Sequence, residues 1–213
     1  MHHLDRAATP APACLGSYNH GAHDWRDLDL LHKEQIRQCL EQMQGRRCAY
    51  CEGSIDALGQ HIEHFRRKST FPPLTFDWSN LYWSCDQTDS CGHYKDHGAG
   101  PYNVADLINP CLDNPDDFFL FRADGTISIR AGLPEQNQHR AVETLRVFGL
   151  DAQWGRLRNM RKGAVAGYVR DAEEAMEAGL EPEELHEYFS EALEAAATEP
   201  FPTVVRHVLT ERP

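Results

Sequence analysis

The chain has 213 residues, of which 41% are hydrophobic and 25% are charged, and its formal net charge is −12 at pH 7. This composition is typical of a globular protein and excludes wholesale disorder, and no apolar run reaches the roughly 18 residues that a membrane-spanning helix needs. The first residues, MHHLDR, lack the apolar core of a signal peptide, so we expect a cytoplasmic protein without a membrane segment.

The first 45 residues are predicted to form an N-terminal arm followed by one helix. Residues 1–24 contain prolines, small residues and scattered histidines, which is typical of an arm or a loose loop. From about Asp27 to Gln44 the apolar residues recur mostly at helical spacing, and Gly45 is a typical helix stop.

Residues 46–100 are rich in cysteine, histidine, glycine and aromatic residues, which is typical of a small unit organised by a metal. Cys48 and Cys51 form one C-x2-C pair, and Cys85 and Cys91, with five residues between them, form a second. Four thiolates in two close pairs suit a tetrahedral structural zinc ion, which would stabilise a segment with few core residues. The alternative is a set of buried free cysteines. The remaining cysteines are given no metal role: Cys14, Cys39 and Cys111.

Residues 101–213 are predicted to contain a hairpin and then long helices. Two apolar segments within 118–130 flank an Asp-Gly pair, a favoured tight turn. From Trp154 onward the apolar residues keep a helical rhythm, which predicts amphipathic helices. The segment 171–194 holds ten carboxylates and no Lys or Arg. Such stripes are typical of the core between paired helices, and the excess apolar surface of the helices between about residues 154 and 211 is our candidate docking surface for a partner.

The candidate catalytic residues lie between and just after the cysteine pairs. Glu63 and His64 stand in the segment IEHFRRKS, Asn80 in WSNL, and His93 in CGHYK. The combination of a cysteine pair, an acidic-His dipeptide, an Asn-Leu and a second cysteine-terminated knuckle resembles the HNH, or ββα-metal, endonuclease motif. The details CAYC, IEHFRRKS and CGHYK are similar to the PtuB-type HNH nucleases of Septu and retron-associated anti-phage systems. The resemblance covers roughly residues 46–97.

This resemblance implies an α+β fold, with a small zinc-braced HNH ββα-metal core and flanking, mainly C-terminal, α-helices. It implies that His64 is the general base and that Glu63 and His93 bind a catalytic Mg²⁺ or Mn²⁺. It also implies that Asn80 orients the imidazole or its loop. Histidine suits the first role because its pKa, about 6.5, lets it accept a proton from water near neutral pH. A divalent cation can stabilise the charge that develops on a phosphodiester during hydrolysis.

The metal ligands have alternatives. In a flat strand Glu63 and His64 would point to opposite faces, so their joint use requires a kink or a strand end. His61 shares the face of Glu63 and is the natural substitute ligand. His93 departs from the usual pattern, because here a glycine follows the last cysteine where the family has Asn or His. If His93 does not reach the metal, His97, one helical turn further on, is the substitute.

Basic residues that could contact phosphates are clustered, although the chain as a whole is acidic. Arg66, Arg67 and Lys68 follow the candidate base directly, and a second basic segment extends from residue 139 to 170. Such patches can bind the nucleic-acid backbone on an acidic protein, but solvated helix faces are the alternative. We predict that Arg66, Arg67 and Lys68 contact flanking phosphates.

The leading hypothesis is a metal-dependent HNH endonuclease that hydrolyses phosphodiester bonds, with DNA as the favoured substrate and RNA as the alternative. The resemblance also implies anti-phage defence in a complex with a PtuA-like ATPase that gates cutting. A second hypothesis is a non-catalytic zinc module that binds nucleic acid or protein, which needs the four cysteines but has no use for Glu63, His64 and Asn80 together. A third is a restriction or homing enzyme without the ATPase, which the lack of a separate sequence-reading domain disfavours.

Overall fold

The computed structural model describes residues 1–179 and 181–211 and has a mixed α+β architecture, which confirms the predicted class. Within these residues the chain forms seven α-helices and two antiparallel two-stranded sheets. The helices are α1 (Leu30–Gln44), α2 (Ile55–Leu58), α3 (Cys91–His97), α4 (Glu135–Val147), α5 (Arg156–Glu177), α6 (Pro182–Ala196) and α7 (Pro202–Thr210). The strands are β1 (His61–His64), β2 (Leu81–Ser84), β3 (Phe119–Phe121) and β4 (Ile127–Ile129).

A β-hairpin followed by a short helix forms the centre of the molecule. Strand β1 pairs with β2 so that His61 lies opposite Ser84 and His64 opposite Leu81. All four residues of β2 are buried, and α1 packs against this strand. Helix α3 begins at Cys91, whose backbone N–H donates to the Phe148 carbonyl at 2.8 Å. This hydrogen bond fixes the start of α3 against the end of α4.

Helix α1 confirms the first predicted helix, with a later start. Asp29 caps it, since its carboxylate accepts a hydrogen bond from the His32 N–H at 2.7 Å, so the helix begins at Leu30 rather than near residue 27. Gly45 ends it in the left-handed conformation, with φ at 62°. The apolar face of the helix buries Ile36 and Leu40.

Of the two interpretations for residues 1–24, an arm packed on the core describes residues 1–15, whereas residues 19–24 are exposed. Leu4 and Leu15 are buried, and the Leu4 N–H donates to a backbone carbonyl 106 residues later in the chain, that of Pro110. The Arg6 guanidinium donates to the Leu81 carbonyl at 2.9 Å and lies over the Trp78 ring. The sequence of this segment has no helical periodicity, and these long-range contacts fix its path instead.

The C-terminal part contains the predicted hairpin and the predicted helices. Strands β3 and β4 form the hairpin, and Gly125 at its turn has a φ of 85°. Trp154 does not belong to the helix that its spacing suggested, because α5 begins at Arg156 and the indole is 90% exposed. Helix α4 is an element that the sequence patterns did not indicate, since its buried positions form only a narrow stripe that includes a threonine, Thr144.

Helix α7 connects the end of the described chain to the first cysteine pair. The buried Glu52 carboxylate, directly after Cys51, accepts hydrogen bonds from the Thr203 N–H at 3.0 Å and the Thr203 hydroxyl at 2.8 Å. One continuous cluster of buried apolar side chains includes residues from all three predicted segments, among them Ile36, Tyr82 and Val204. Among the described helices, not one combines the length and apolarity that crossing a membrane would require. The segment boundaries at residues 45 and 100 stay predictions.

Candidate metal centre and active site

The four cysteines of the two predicted pairs converge in one buried cluster. The sulfur atoms of Cys48, Cys51, Cys85 and Cys91 all lie within 4.8 Å of one another, and the side chains are at most 3% exposed. None of them forms a disulfide. Four thiols at such distances, closed off from solvent, are a donor set that suits a structural zinc ion.

The surroundings of the four cysteines also affect how readily their thiols lose a proton. The Gly53 N–H donates to the Cys51 sulfur at 3.4 Å, which is the kind of contact that stabilises a thiolate. Burial alone would raise the pKa of the Cys48 thiol, but hydrogen bonds from the neighbouring thiols lower that pKa well below its usual value. Contacts with the neighbouring thiols raise the pKa of Cys51, and burial raises the pKa of Cys91, both well above the usual value. The cluster joins the turn before α2, the end of β2 and the start of α3.

A cavity of about 380 Å³ opens beside this cluster, between β1 and α3. Glu63 and His64 both line it, although they are neighbours on one strand. His64 is the last residue of β1, so the alternation of side chains across the strand ends there. The strand end therefore explains how these two neighbours can line one cavity.

His64 is held as a neutral imidazole. Its Nε2 lies 3.0 Å from the Thr75 carbonyl oxygen, which can only accept, so Nε2 carries the proton and Nδ1 is left to accept one. The Trp25 ring packs edge-to-face on the imidazole, with 4.5 Å between the ring centroids. Burial is the main cause that lowers the pKa of His64 to about 4, and the positive charge of Lys68 adds to it. His64 therefore stays in its basic form at neutral pH.

The Asn80 side chain holds the loop after β1 by hydrogen bonds to its backbone, and among the described residues its partners do not include the His64 imidazole. Its Oδ1 accepts from the Arg66 N–H at 2.7 Å, and its Nδ2 donates to the Arg66 carbonyl at 2.9 Å and the Leu74 carbonyl at 3.1 Å. The buried side chain thus closes the loop that carries the Thr75 carbonyl. Of the two alternatives for Asn80, the geometry matches orientation of the loop.

Glu63 is buried and paired with a lysine. The Lys95 ammonium lies 2.8 Å from Glu63 Oε1, and it donates to the His64 carbonyl at 3.0 Å. Burial would raise the pKa of Glu63, but the charge of Lys95 holds it below its usual value. Lys95 is itself fully buried. Asp96 lies at the rim, where it lines the cavity.

His93 lies in a cluster that sequence analysis only partly anticipated. Its Nε2 is 3.2 Å from Asp86 Oδ1, and the same oxygen is 2.9 Å from His61 Nδ1. The rings of His61 and His93 are 4.1 Å apart between centroids, while His97 lies one turn further on, 6.4 Å from His93. His61, Asp86 and His93 together could hold a metal ion. The assignment of the catalytic metal to Glu63 and His93 stays a prediction.

The side chains of Arg66, Arg67 and Lys68 lie in different environments. Lys68 is exposed and lines the cavity, as does Arg67. The Arg67 guanidinium is already engaged, because it donates to Asp96 at 2.9 Å and lies over the Tyr102 ring. Arg66 is exposed and faces a separate hollow beside Asn80. Lys68 is thus the member of the triplet that lines the cavity of His64 without an ion pair among the described residues.

Three residues of the site escaped sequence analysis: Trp25, Thr75 and Asp86. Asp86 had one usable signal, its position directly after Cys85, at the start of the five-residue gap within the second cysteine pair. Thr75 contributes only its backbone carbonyl, which any residue type could supply. Trp25 comes from the N-terminal segment, 39 positions before His64, and no local pattern connects the two.

No protein-family model matches the chain. A protein of Vibrio cholerae serotype O1 biovar El Tor, described as a candidate HNH endonuclease of retron Vc95, is 29% identical over 61% of this chain and 62% of its own length. The Septu protein PtuB of Bacillus thuringiensis is 33% identical over 39% of this chain and 31% of its own length. The Septu protein PtuB of Bacillus mycoides (strain KBAB4) is 28% identical over 55% of this chain and 47% of its own length.

The chain therefore resembles HNH nucleases of the PtuB type, as the motifs predicted. It spans less than two thirds of the length of each of these relatives.

Proposed function

We propose that this protein is a metal-dependent HNH endonuclease that hydrolyses phosphodiester bonds, with DNA as the favoured substrate and RNA as the alternative. The observation that carries the proposal is His64, a neutral and shielded imidazole at the end of β1, in a cavity that also contains histidine and carboxylate ligands for a cation. The arrangement of β1, β2 and α3 serves as the ββα core, and the four-cysteine cluster braces it with zinc.

In this mechanism the chain positions water, proton acceptor and phosphate. His64 Nδ1 accepts the proton from the attacking water, and the Thr75 carbonyl keeps the ring in the required tautomer. The histidine and carboxylate groups beside it, His93 among them, would hold a divalent cation, which would supply positive charge for the phosphate and the departing oxygen. Asn80 maintains the loop, and Lys68 binds a flanking phosphate at the rim of the cavity.

The test is cleavage of plasmid DNA and of total RNA with added Mg²⁺ or Mn²⁺, with wild-type protein and the His64→Ala variant. We expect cleavage by the wild type to fall by about 100-fold or more in the variant, because general-base catalysis contributes about 10²–10⁴. His20→Ala, an exposed histidine outside the cavity, serves as the matched control and retains full activity.

Equal cleavage by wild type and His64→Ala removes this mechanism. If neither nucleic acid is cut while one zinc ion per chain stays bound, the non-catalytic zinc module becomes the better hypothesis.

Within the same proposal, the protein is the nuclease subunit of an anti-phage complex with a PtuA-like ATPase. The names of the relatives support this role. Helix α6 is our candidate docking surface, since its apolar residues Tyr188 and Leu193 are only half-buried and its exposed residues include many glutamates. Replacing both with Glu is expected to abolish co-elution with the ATPase in gel filtration, and replacing the distant, exposed Glu34 with Gln is not. Co-elution of the double variant would reject this surface.

A further inference from the structure

A cluster of two imidazoles and one carboxylate lies beside the proposed general base. Asp86 Oδ1 is 2.9 Å from His61 Nδ1 and 3.2 Å from His93 Nε2, so two nitrogens and one oxygen converge on a small volume. These side chains are 23% to 47% exposed, which leaves one side of the cluster open to water and to substrate. Two histidines and one carboxylate with open positions are a recurrent ligand set for divalent transition metals.

We infer that His61, Asp86 and His93 form the binding site of the divalent cation that hydrolysis requires, and that Asp86 rather than Glu63 supplies the carboxylate ligand. The inference rests on the proposed nuclease function. His61 and His93 line the same cavity as His64, so a cation held by them lies beside the attacking water and the phosphate.

Glu63 stands behind this site and has its two oxygens committed. Oε1 pairs with the Lys95 ammonium at 2.8 Å, and Oε2 lies 3.4 Å from His61 Nε2. The carboxylate is 3% exposed. Glu63 lines the cavity, but its carboxylate is buried, paired with Lys95 and turned towards His61, whereas the Asp86 carboxylate is 47% exposed on the open side of the cluster.

The contact between Glu63 and His61 has a function in this arrangement. A histidine that binds a metal through one ring nitrogen donates its other N–H to a carboxylate or carbonyl, which fixes the tautomer and makes the ligand nitrogen more basic. Glu63 accepts from His61 Nε2, and the Nδ1 lone pair is thereby directed to the side where Asp86 and His93 lie. Glu63 is thus a positioning residue, and Lys95 holds it in place.

The donor set also favours one class of cation. Mg²⁺ prefers oxygen ligands and water, whereas imidazole nitrogen suits transition metals. Mn²⁺ accepts both nitrogen and oxygen donors and is expected to bind this site more tightly than Mg²⁺. Zinc is expected to remain in the four-cysteine cluster, because that cluster offers thiolates and no access to solvent.

The experiment is a Mn²⁺ titration of zinc-loaded full-length protein, followed by the electron paramagnetic resonance signal of free Mn²⁺. Wild type should bind one Mn²⁺ per chain, and Asp86→Asn should weaken this binding by about 100-fold or more. Asp89→Asn, a neighbouring exposed carboxylate that pairs with Arg156, is the matched control and keeps wild-type affinity.

Glu63→Gln separates a positioning role from direct binding, because Gln still accepts a hydrogen bond from His61. We expect this variant to weaken Mn²⁺ binding by about tenfold or less. Since it leaves the buried Lys95 without a counter-charge, the double variant Glu63→Gln/Lys95→Met is measured beside it, with zinc content and circular dichroism as the check on folding.

Absence of Mn²⁺ binding by the wild type overturns the inference, and so does unchanged binding by Asp86→Asn. An equal loss in Asp86→Asn and in both Glu63 variants, all folded, returns the ligand role to Glu63. Cleavage assays on the same samples keep this result apart from the fate of the nuclease proposal. Cutting that depends on His64 but not on Asp86 leaves a nuclease with a different metal site, and Mn²⁺ binding without any cutting leaves the site without the nuclease.

Discussion

Gly92 lies where helix α3 passes closest to the histidine and carboxylate groups of the candidate site. A Cβ at this position would lie 2.6 Å from Glu63 Oε2 and 3.0 Å from His61 Nε2, both inside normal contact distance. The glycine that departs from the family pattern is therefore required by the close approach of these two side chains. The same position could not hold the Asn or His that the pattern has there without displacing Glu63.

We expect Gly92→Ala to reduce cleavage by about 100-fold, because a displacement of about 1 Å in a catalytic constellation has an effect of this size. The fold should lose only about 1–3 kcal/mol, the usual cost of an extra methyl group in a packed site. Gly163→Ala is the control, since no atom lies within 4 Å of its added Cβ in α5. Full activity of Gly92→Ala would show that Glu63 and His61 have room to move without consequence.

At the scale of single residues, the sequence indicated the candidate base more clearly than its surroundings. His64 stands out because of the acidic-His dipeptide between the cysteine pairs. The burial of Lys95 could not be predicted, since nothing in CGHYK distinguishes a lysine on the inner face of a seven-residue helix from one on the outer face. Asp86 was overlooked because the family pattern draws attention to the residue after the last cysteine, not to the residue after the third.

At the scale of elements, Asp116 ties the hairpin β3–β4 to helix α7. Its Oδ1 lies 3.0 Å from His207 Nε2 and its Oδ2 accepts from Arg206 at 2.6 Å. His207 Nδ1 accepts from the Phe121 N–H at 3.1 Å, so Nε2 is the protonated nitrogen. Burial would raise the pKa of Asp116, but the hydrogen bonds from His207 and Arg206 lower it to about 2.

A carboxylate whose pKa is lower in the folded than in the unfolded chain stabilises the fold at pH values above the pKa of the unfolded chain. This contribution is lost as the pH falls from about 4 to about 2. We expect Asp116→Asn to lower the free energy of unfolding at pH 7 by about 1–2 kcal/mol, after allowance for partial exposure to solvent. The difference from wild type should shrink as urea titrations move from pH 4 towards pH 2. Asp117→Asn, on an exposed neighbour, should show neither effect. A difference that stays constant with pH would refute the linkage.

Elements with strong local signals were predicted, and those fixed from a distance were not. Helix α1 has a capping aspartate, an apolar face and a terminal glycine, and the β3–β4 hairpin has its Asp-Gly turn. Helix α4 lacks a wide apolar face, so its periodicity is weak. The segment 1–24 has no regular sequence pattern, and its conformation depends on tertiary contacts such as that between Leu4 and Pro110.

At the scale of the whole molecule, the acidic net charge and the proposed nucleic-acid substrate are reconciled by local distribution. The exposed Lys68 lies at the rim of the cavity, whereas the carboxylates of residues 171–194 lie on α5, α6 and the turn between them. Arg67 contributes less than its position in the triplet suggested, because its guanidinium is bound to Asp96 and Tyr102.

We expect Lys68→Ala, in a His64→Ala background that prevents cutting, to weaken DNA binding to a similar extent for different sequences. The slope of log affinity against log salt should decrease by about 1, the value for one lost phosphate contact. Fluorescence anisotropy over a series of salt concentrations measures it. Lys162→Ala, an exposed lysine on α5, should leave the slope unchanged. An unchanged slope for Lys68→Ala would exclude the phosphate contact.

The contact between Glu52 and Thr203 can form only late in the synthesis of the chain. Thr203 follows Glu52 by 151 positions, so at about 5–20 residues per second the ribosome completes Glu52 roughly 8–30 s before its partner. Throughout that interval the carboxylate next to Cys51 lacks the two donors that Thr203 supplies in the finished fold, and Gly53 lacks the Phe201 ring beside it. The segment of the first cysteine pair is therefore synthesised early but enclosed late, only when synthesis has passed α7.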